Sequence, residues 1–259
     1  MNFGFTDLLT LLGSLGLFLY GMKVMSDSLM MLAGNQMRSI LASTTSNRFF
    51  ALLTGFFITA AIQSSSATTL MVVSFVNASL LTLTEAVGVI MGANIGTTVT
   101  AWLITILGFK VKMSALALPL VGMGFLLTIS KNEKARQWGY FTVGFALLFI
   151  GLQFLKESVP NISDHPEALA FLAEYTSKGF LSILLFLFIG TVLTLVIQSS
   201  SAAMALTLLM CFEGWIAFDI AAAMVVGQNI GTTITANLAA IVGKYHAKRS
   251  ARAHLIFDA

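Results

Sequence analysis

The chain has 259 residues, 57% of them hydrophobic and 10% charged, with 14 Lys and Arg against 11 Asp and Glu for a formal charge of +3. Soluble domains run at about a quarter charged, so an ordinary soluble domain is excluded, and so small a basic surplus excludes a nucleic-acid surface. The single cysteine, Cys211, cannot form an intrachain disulfide and leaves the redox compartment unread.

Charges punctuate the sequence more clearly than Pro or Gly. Met1 to Thr6 lacks the basic start and cleavage site of a signal peptide, so insertion is expected to begin with the first apolar run, Leu8 to Met22. Phe49 to Thr84 is then uncharged for 36 residues and Ala86 to Phe109 for 24. Met113 to Ser130, with Pro119 as an expected kink, and Gln137 to Leu155 follow. Gly179 to Phe212 is uncharged for 34 residues and Ile220 to Gly243 for 24. One crossing needs about 20 apolar residues, so the two longest runs exceed one crossing and fall short of two.

Each of those two runs has a polar centre, Gln63-Ser64-Ser65-Ser66 in the first and Gln198-Ser199-Ser200-Ser201 in the second. Four consecutive polar side chains cannot all hide on one helix face. A helix from Phe49 to Ile62 spans about 21 Å, short of a hydrocarbon core of roughly 30 Å. The spacing predicts a half-helix, a polar break at depth and a second segment, which is tolerated only where protein or a wet cavity surrounds it.

The breaks belong to an internal duplication. QSSSA at 63–67 recurs at 198–202, and GANIGTTVTA at 92–101 recurs as GQNIGTTITA at 227–236, both offset by 135. LFLYGMKVMSDSL at 17–29 is echoed more weakly by LLFIGLQFLKESV at 147–159. Duplicated units with helices broken near mid-bilayer are the pattern of secondary transporters with a site at the repeat interface. The expected fold is an all-α integral membrane protein of two inverted repeats, residues 1–130 and 131–259, each with a re-entrant or broken hairpin carrying QSSS. By the repeat offset Ala259 matches Gly124, inside the apolar segment closing the first copy, so the second copy is expected to be truncated.

At these four motifs the chain resembles the sodium–phosphate cotransporter family, the type II cotransporters of animals and their bacterial relatives. The resemblance spans nearly the whole chain, including AKRSARAHLIFDA at 247–259. It implies sodium-coupled symport of inorganic phosphate across a cell (inner) membrane by a multi-pass protein, with sodium as coupling ion and no organic cofactor. Electrogenic animal members have an Asp shortly after the first NIGT motif, where Gly108 to Lys112 here carries no carboxylate; an electroneutral cycle is expected. Ala67 stands where the animal proteins often have Thr, and their large glycosylated loop between repeats is absent, which suits a bacterial form.

On the same resemblance, Ser64, Ser65, Ser66, Ser199, Ser200, Ser201, Asn94 and Asn229 are the phosphate candidates. Gln63, Gln198, Thr68, Thr97, Thr98, Thr232 and Thr233 are the sodium candidates. Serine hydroxyls with backbone N–H groups at a half-helix N-terminus suit an anion, and side-chain carbonyls and hydroxyls suit sodium. The long runs hold no Lys or Arg, so anion recognition is expected to be dipolar, with sodium adding positive charge. The competing structural role for QSSS is interhelical hydrogen bonding, and for Gly92, Gly96, Gly227 and Gly231 close helix packing. Lys23, Glu85, Glu213 and Asp219 read as interfacial or capping residues. His165, His246 and His254 fall in loops or near the end without metal spacing, His254 as a structural residue. A transporter or channel for another oxyanion is the rival function. An intramembrane serine hydrolase would need a base beside one serine, and neither long run holds a His or Lys. Membrane orientation and oligomeric state are not readable, because the basic clusters fall on alternating sides.

Overall fold

A computed structural model describes residues 4–43, 47–110, 113–158, 175–176 and 179–259, and among these the regular structure is entirely helical. His165, Val111 and Lys112 lie outside the described residues. The helices are α1 Phe5–Ser43, α2 Arg48–Ile62, α3 Ser65–Asn77, α4 Leu83–Leu103, α5 Ser114–Thr128, α6 Glu133–Ser158, α7 Phe180–Ile197, α8 Ser200–Phe212, α9 Phe218–Ala240 and α10 Tyr245–Asp258. A π-helical stretch, Ile104–Lys110, follows α4. Among the described residues, four helical segments are long and apolar enough to cross a membrane: Phe5–Gly34, Leu83–Phe109, Glu133–Ser158 and Phe180–Ile197. This is a membrane protein. The 15 residues of α2 reach only about 22 Å, so the half-length expected before Gln63 is what the chain adopts.

The chain forms two compact units, Met1–Gly34 with Trp102–Pro166, and Asn35–Ala101 with Glu167–Ala259. Each therefore takes pieces from both sides of the sequence repeat. In the first unit the N-terminal part of α1 crosses α6 on glycines. A Cβ at Gly21 would sit 2.4 Å from the Leu148 nitrogen, and one at Gly151 2.4 Å from that of Phe18. A cavity of about 350 Å³ opens beside Gly108 and Phe109. Glu157 of α6 lines the same cavity and accepts from Nε2 of Gln153 at 2.6 Å.

The second unit carries both QSSS motifs. Its two halves keep the 135-residue offset in the backbone: α3 and α8 begin at Ser65 and Ser200, α4 and α9 at Leu83 and Phe218. Small residues set how closely the helices approach. A Cβ at Gly55 would fall 1.9 Å from the Val89 carbonyl oxygen, and one at Gly92 1.8 Å from that of Leu52, so α2 and α4 touch backbone to backbone. The equivalent Gly190 and Gly227 bring α7 against α9, 2.1 Å from the Met224 oxygen and 1.9 Å from that of Leu187. The glycines of the GxNIG motifs are packing residues. Helix α10 lies on α3 and α9 through Val73, Ala236, Ala240, Ala247 and Ala251, all buried. At the start of α4, Thr82 and Glu85 form a reciprocal cap, the Thr82 nitrogen and Oγ1 both donating to Glu85 Oε2 at 2.8 Å. Glu85 is thus a capping residue.

Candidate functional site

Both helix breaks are made the same way. Gln63 closes α2 in the left-handed region at φ 56°, ψ 30°, and Gln198 closes α7 at φ 59°, ψ 24°. A non-glycine residue there costs about 1–3 kcal/mol, and the same residue type bears that strain in both copies. Each backbone N–H still bonds its helix, Gln63 to the Thr59 oxygen and Gln198 to that of Thr194, both at 2.8 Å. The side chains fold back, Nε2 donating to the Ala60 oxygen at 2.5 Å and the Leu195 oxygen at 2.6 Å.

The next residue then starts a new helix. Ser64 and Ser199 are extended, and their Oγ atoms accept from the Ala67 and Ala202 nitrogens at 3.2 and 3.3 Å. Those two serines are N-caps. Across the break Thr59 donates to Thr68 at 2.9 Å, so the first hairpin folds back on itself one turn either side of Gln63. A second pair of left-handed residues, Ser79 at φ 60° and Gly214 at φ 75°, ends α3 and α8 at the same offset.

The two breaks meet. Ser65 Oγ lies 3.2 Å from Ser200 Oγ, both buried, so the first turns of α3 and α8 converge. Each helix N-terminus carries roughly half a positive charge and unbonded N–H groups. Two such ends facing one another suit an anion held by hydroxyls and amides. Ser201 is buried and Ser66 half-buried beside them in those first turns.

The remaining candidates divide. Gln63 is buried and its Oε1 accepts from Thr100 at 2.9 Å, whereas Gln198 is exposed. Thr68 is fully buried and donates to the Ser64 oxygen at 3.1 Å. The NIGTT threonines all donate back into their own helices: Thr97 to Ala93, Thr98 to Ile95, Thr232 to Gln228 and Thr233 to Ile230. Their oxygens keep lone pairs for a cation, although Thr98 is exposed. Asn94 does not stand free, since its Nδ2 donates to Oδ1 of Asp258. Asn229 is half-buried in the matching position on α9.

Several neighbours were not picked out from sequence. Thr59 and Thr100 hold Thr68 and Gln63, but single threonines in apolar runs give no signal. Gln228, fully buried, donates to Thr207 at 2.7 Å. Thr233 also lines a cavity of about 380 Å³ with Asn237, and Lys248 and Arg252 reach it from α10. Two cations thus stand beside Thr233, although the uncharged run that carries it holds none.

The profile of the Na+/Pi-cotransporter family matches residues 17–157 and 165–255. Over 250 residues, 96% of the chain and 45% of the relative, it is 30% identical to the "Putative inorganic phosphate export protein YjbB" of Salmonella typhimurium (strain LT2). It is 30% identical over 244 residues, 93% of the chain, to YqeW of Bacillus subtilis (strain 168), covering 76% of that protein. A shorter match of 106 residues, 40% of the chain and 15% of the relative, is 35% identical to the human sodium-dependent phosphate transport protein 2B. The chain spans a little under half the length of YjbB. No solved structure matches it.

Proposed function

The chain belongs to the Na+/Pi-cotransporter family, and from that premise we propose that it carries inorganic phosphate across the cell (inner) membrane by sodium-coupled symport. The observation that carries the reading is the Ser65–Ser200 contact at 3.2 Å between residues 135 apart. In a two-fold arrangement a residue can touch its own equivalent only near the axis. The contact therefore supports two inverted repeats, divided near residue 130, with the site on their common axis. Phosphate is held by Ser64, Ser65, Ser66, Ser199, Ser200, Ser201, Asn94 and Asn229, through hydroxyls, amides and two helix ends. Sodium takes the oxygens of Gln63, Gln198, Thr68, Thr97, Thr98, Thr232 and Thr233. Its charge offsets the cost of burying the anion, which is the physical reason for coupling.

The name of YjbB points outward and that of the human protein to sodium dependence; one site serves both, since a symporter runs with its gradients. The test is uptake and release of radiolabelled phosphate in proteoliposomes under inward, outward and absent sodium gradients, with sulfate and arsenate as competitors. Flux that follows the sodium gradient and withstands sulfate is expected. Flux indifferent to sodium overturns symport, and equal competition by sulfate overturns phosphate as the substrate. Voltage-clamped bilayers check the electroneutral cycle, for which no substrate-induced current is expected.

A further inference from the structure

A groove between α9 and α10 holds two cations that the transport reading leaves without a role. The uncharged run through α9 ends at Gly243, so the water boundary falls about where Lys244 caps α10. From there α10 runs back along α9. Asn237 Nδ2 donates to the Thr233 oxygen at 2.9 Å and to the Ala251 oxygen at 3.2 Å, pinning the two helices together. Lys248 and Arg252 stand one and two turns into that return, and two turns cover about 11 Å of helix. Both line a groove of about 380 Å³ whose other walls include Thr233, Leu238, Ile241 and Leu255.

Neither cation makes an ion pair among the described residues. Helix α10 packs on α3 and α9. No ionisable residue occurs on α3, and the only one on α9 is Asp219 in its first turn, at the end away from the groove. Asp258, on α10 itself, lies against His254 and Asn94 instead. Positive charge beside hydrocarbon is costly without a counter-ion, so an anion from outside the chain is needed to balance it. The rest of the groove says which kind. Leu238 is 60% and Ile241 61% exposed, and Leu255 39%. An inorganic oxyanion gains nothing from such an apolar wall, whereas the tails of a lipid do.

We propose that this groove binds an anionic phospholipid, its phosphate held by Lys248 and Arg252 and its acyl chains lying along Leu238, Ile241 and Leu255. The guanidinium of Arg252 takes phosphate oxygens in pairs, and Lys248, nearer the boundary, adds a point charge. Both side chains lay their apolar stems on the wall while their charged ends rise to headgroup level. Basic grooves between membrane helices select acidic headgroups in this way. A lipid seated here spans α9 and α10, and it covers the side of α9 on which Thr233 lies. The site stands on its own geometry and is independent of the transport reading.

Isothermal titration of the purified chain in neutral detergent, without sodium, tests this. The probes are dioctanoyl phosphatidylglycerol, dioctanoyl phosphatidylcholine (whose choline cancels the phosphate charge) and inorganic phosphate. Phosphatidylglycerol should bind at least about twentyfold tighter than phosphatidylcholine, each cation contributing about fivefold. Lys248→Gln and Arg252→Gln should each cut that preference about fivefold, and the double variant should abolish it. Lys131→Gln combined with Lys134→Gln removes two exposed lysines elsewhere and should leave it unchanged. A preference that survives the groove double variant, or falls as far in the control, overturns the site. Inorganic phosphate that displaces phosphatidylglycerol at equal concentration overturns the lipid as occupant. Lys248 and Arg252 are exposed, so their variants should fold, which monodispersity on size exclusion checks; where the double variant aggregates, the two single variants decide.

Discussion

The two helix breaks share one backbone and differ in chemistry. Both use a left-handed Gln, an extended Ser cap and a serine first turn, at dihedral angles that agree within a few degrees. The side chains around them have diverged. In the first copy Thr59 pairs with Thr68 and Thr100 with Gln63. In the second, Ala203 replaces Thr68, the Thr194 hydroxyl is buried without a partner among the described residues, and Gln198 is exposed. Conversely, Gln228 and Thr207 bond where the first copy has Ala93 and Val72. Geometry is thus fixed by the residues of the break itself, and the neighbours are free to make two unlike half-sites.

The largest effects should be symmetric. Gly92→Ala and Gly227→Ala each drive a methyl to within 2 Å of a backbone oxygen on the facing helix. Overpacking of this kind costs upwards of about 3 kcal/mol, so both variants should lose most of their folded yield in detergent and melt far lower. Gly122→Ala on α5, with nothing within 4 Å, should gain about 0.5–1 kcal/mol. Similar melting for all three would show that the helices can separate and that glycine does not set their distance.

Function should break the symmetry next. Glycine tolerates the left-handed backbone better than glutamine, so Gln198→Gly, at an exposed side chain, should preserve or raise stability by up to about 1 kcal/mol. Gln63→Gly sets that gain against about 1–3 kcal/mol for the orphaned Thr100 hydroxyl. Sodium-dependent flux should nevertheless fall, by more than about tenfold (~1.4 kcal/mol) for Gln63→Gly and less for Gln198→Gly. The carbonyl of Gln63 is already oriented by Thr100, and an oriented ligand contributes more than one that must first be ordered. Equal losses would mean that the exposed carbonyl is ordered as well. Unchanged flux in both would leave these glutamines a purely structural role.

A reciprocal swap sharpens the threonine difference. Thr68→Ala orphans the Thr59 hydroxyl and should cost about 1–3 kcal/mol. Ala203→Thr recreates in the second copy the pairing seen in the first and should recover about 1 kcal/mol from the orphaned Thr194. Thermal unfolding of the two variants and their combination measures both. A destabilising Ala203→Thr would show that the second hairpin packs too tightly at that point to hold a hydroxyl.

Much of this was legible because it rests on length and repetition. The 14 apolar residues before Gln63 are too few for a crossing, and four polar residues in a row fit no helix face, so the break follows from counting. The paired glycines announce close packing by their spacing. What pattern could not supply is which remote segments meet. Asn94 and Asp258 are 164 residues apart, and the compact units cut across the sequence repeat. A signal was present in α10, whose small and polar residues Ala247, Ser250, Ala251, His254 and Asp258 recur at helical spacing opposite Lys248 and Arg252. That stripe marks a helix docked by one face, and it makes His254 a member of the packed interior rather than of a loop.

The smallest expected effect concerns the caps, where the two copies should again agree. Ser64 and Ser199 each accept one N–H of the helix that follows. Losing such an acceptor costs typically about 1 kcal/mol, so Ser64→Ala and Ser199→Ala should lower stability equally and slightly. Asp at either position would keep the cap while adding negative charge at the converging helix ends. As a cap alone, Asp matches Ser; beside a bound anion it repels. Stability should therefore be restored in Ser64→Asp and Ser199→Asp while phosphate binding is lost, a split read by thermal unfolding with and without phosphate. If both Asp variants are stabilised by phosphate as the wild type is, the anion does not sit where α3 and α8 converge.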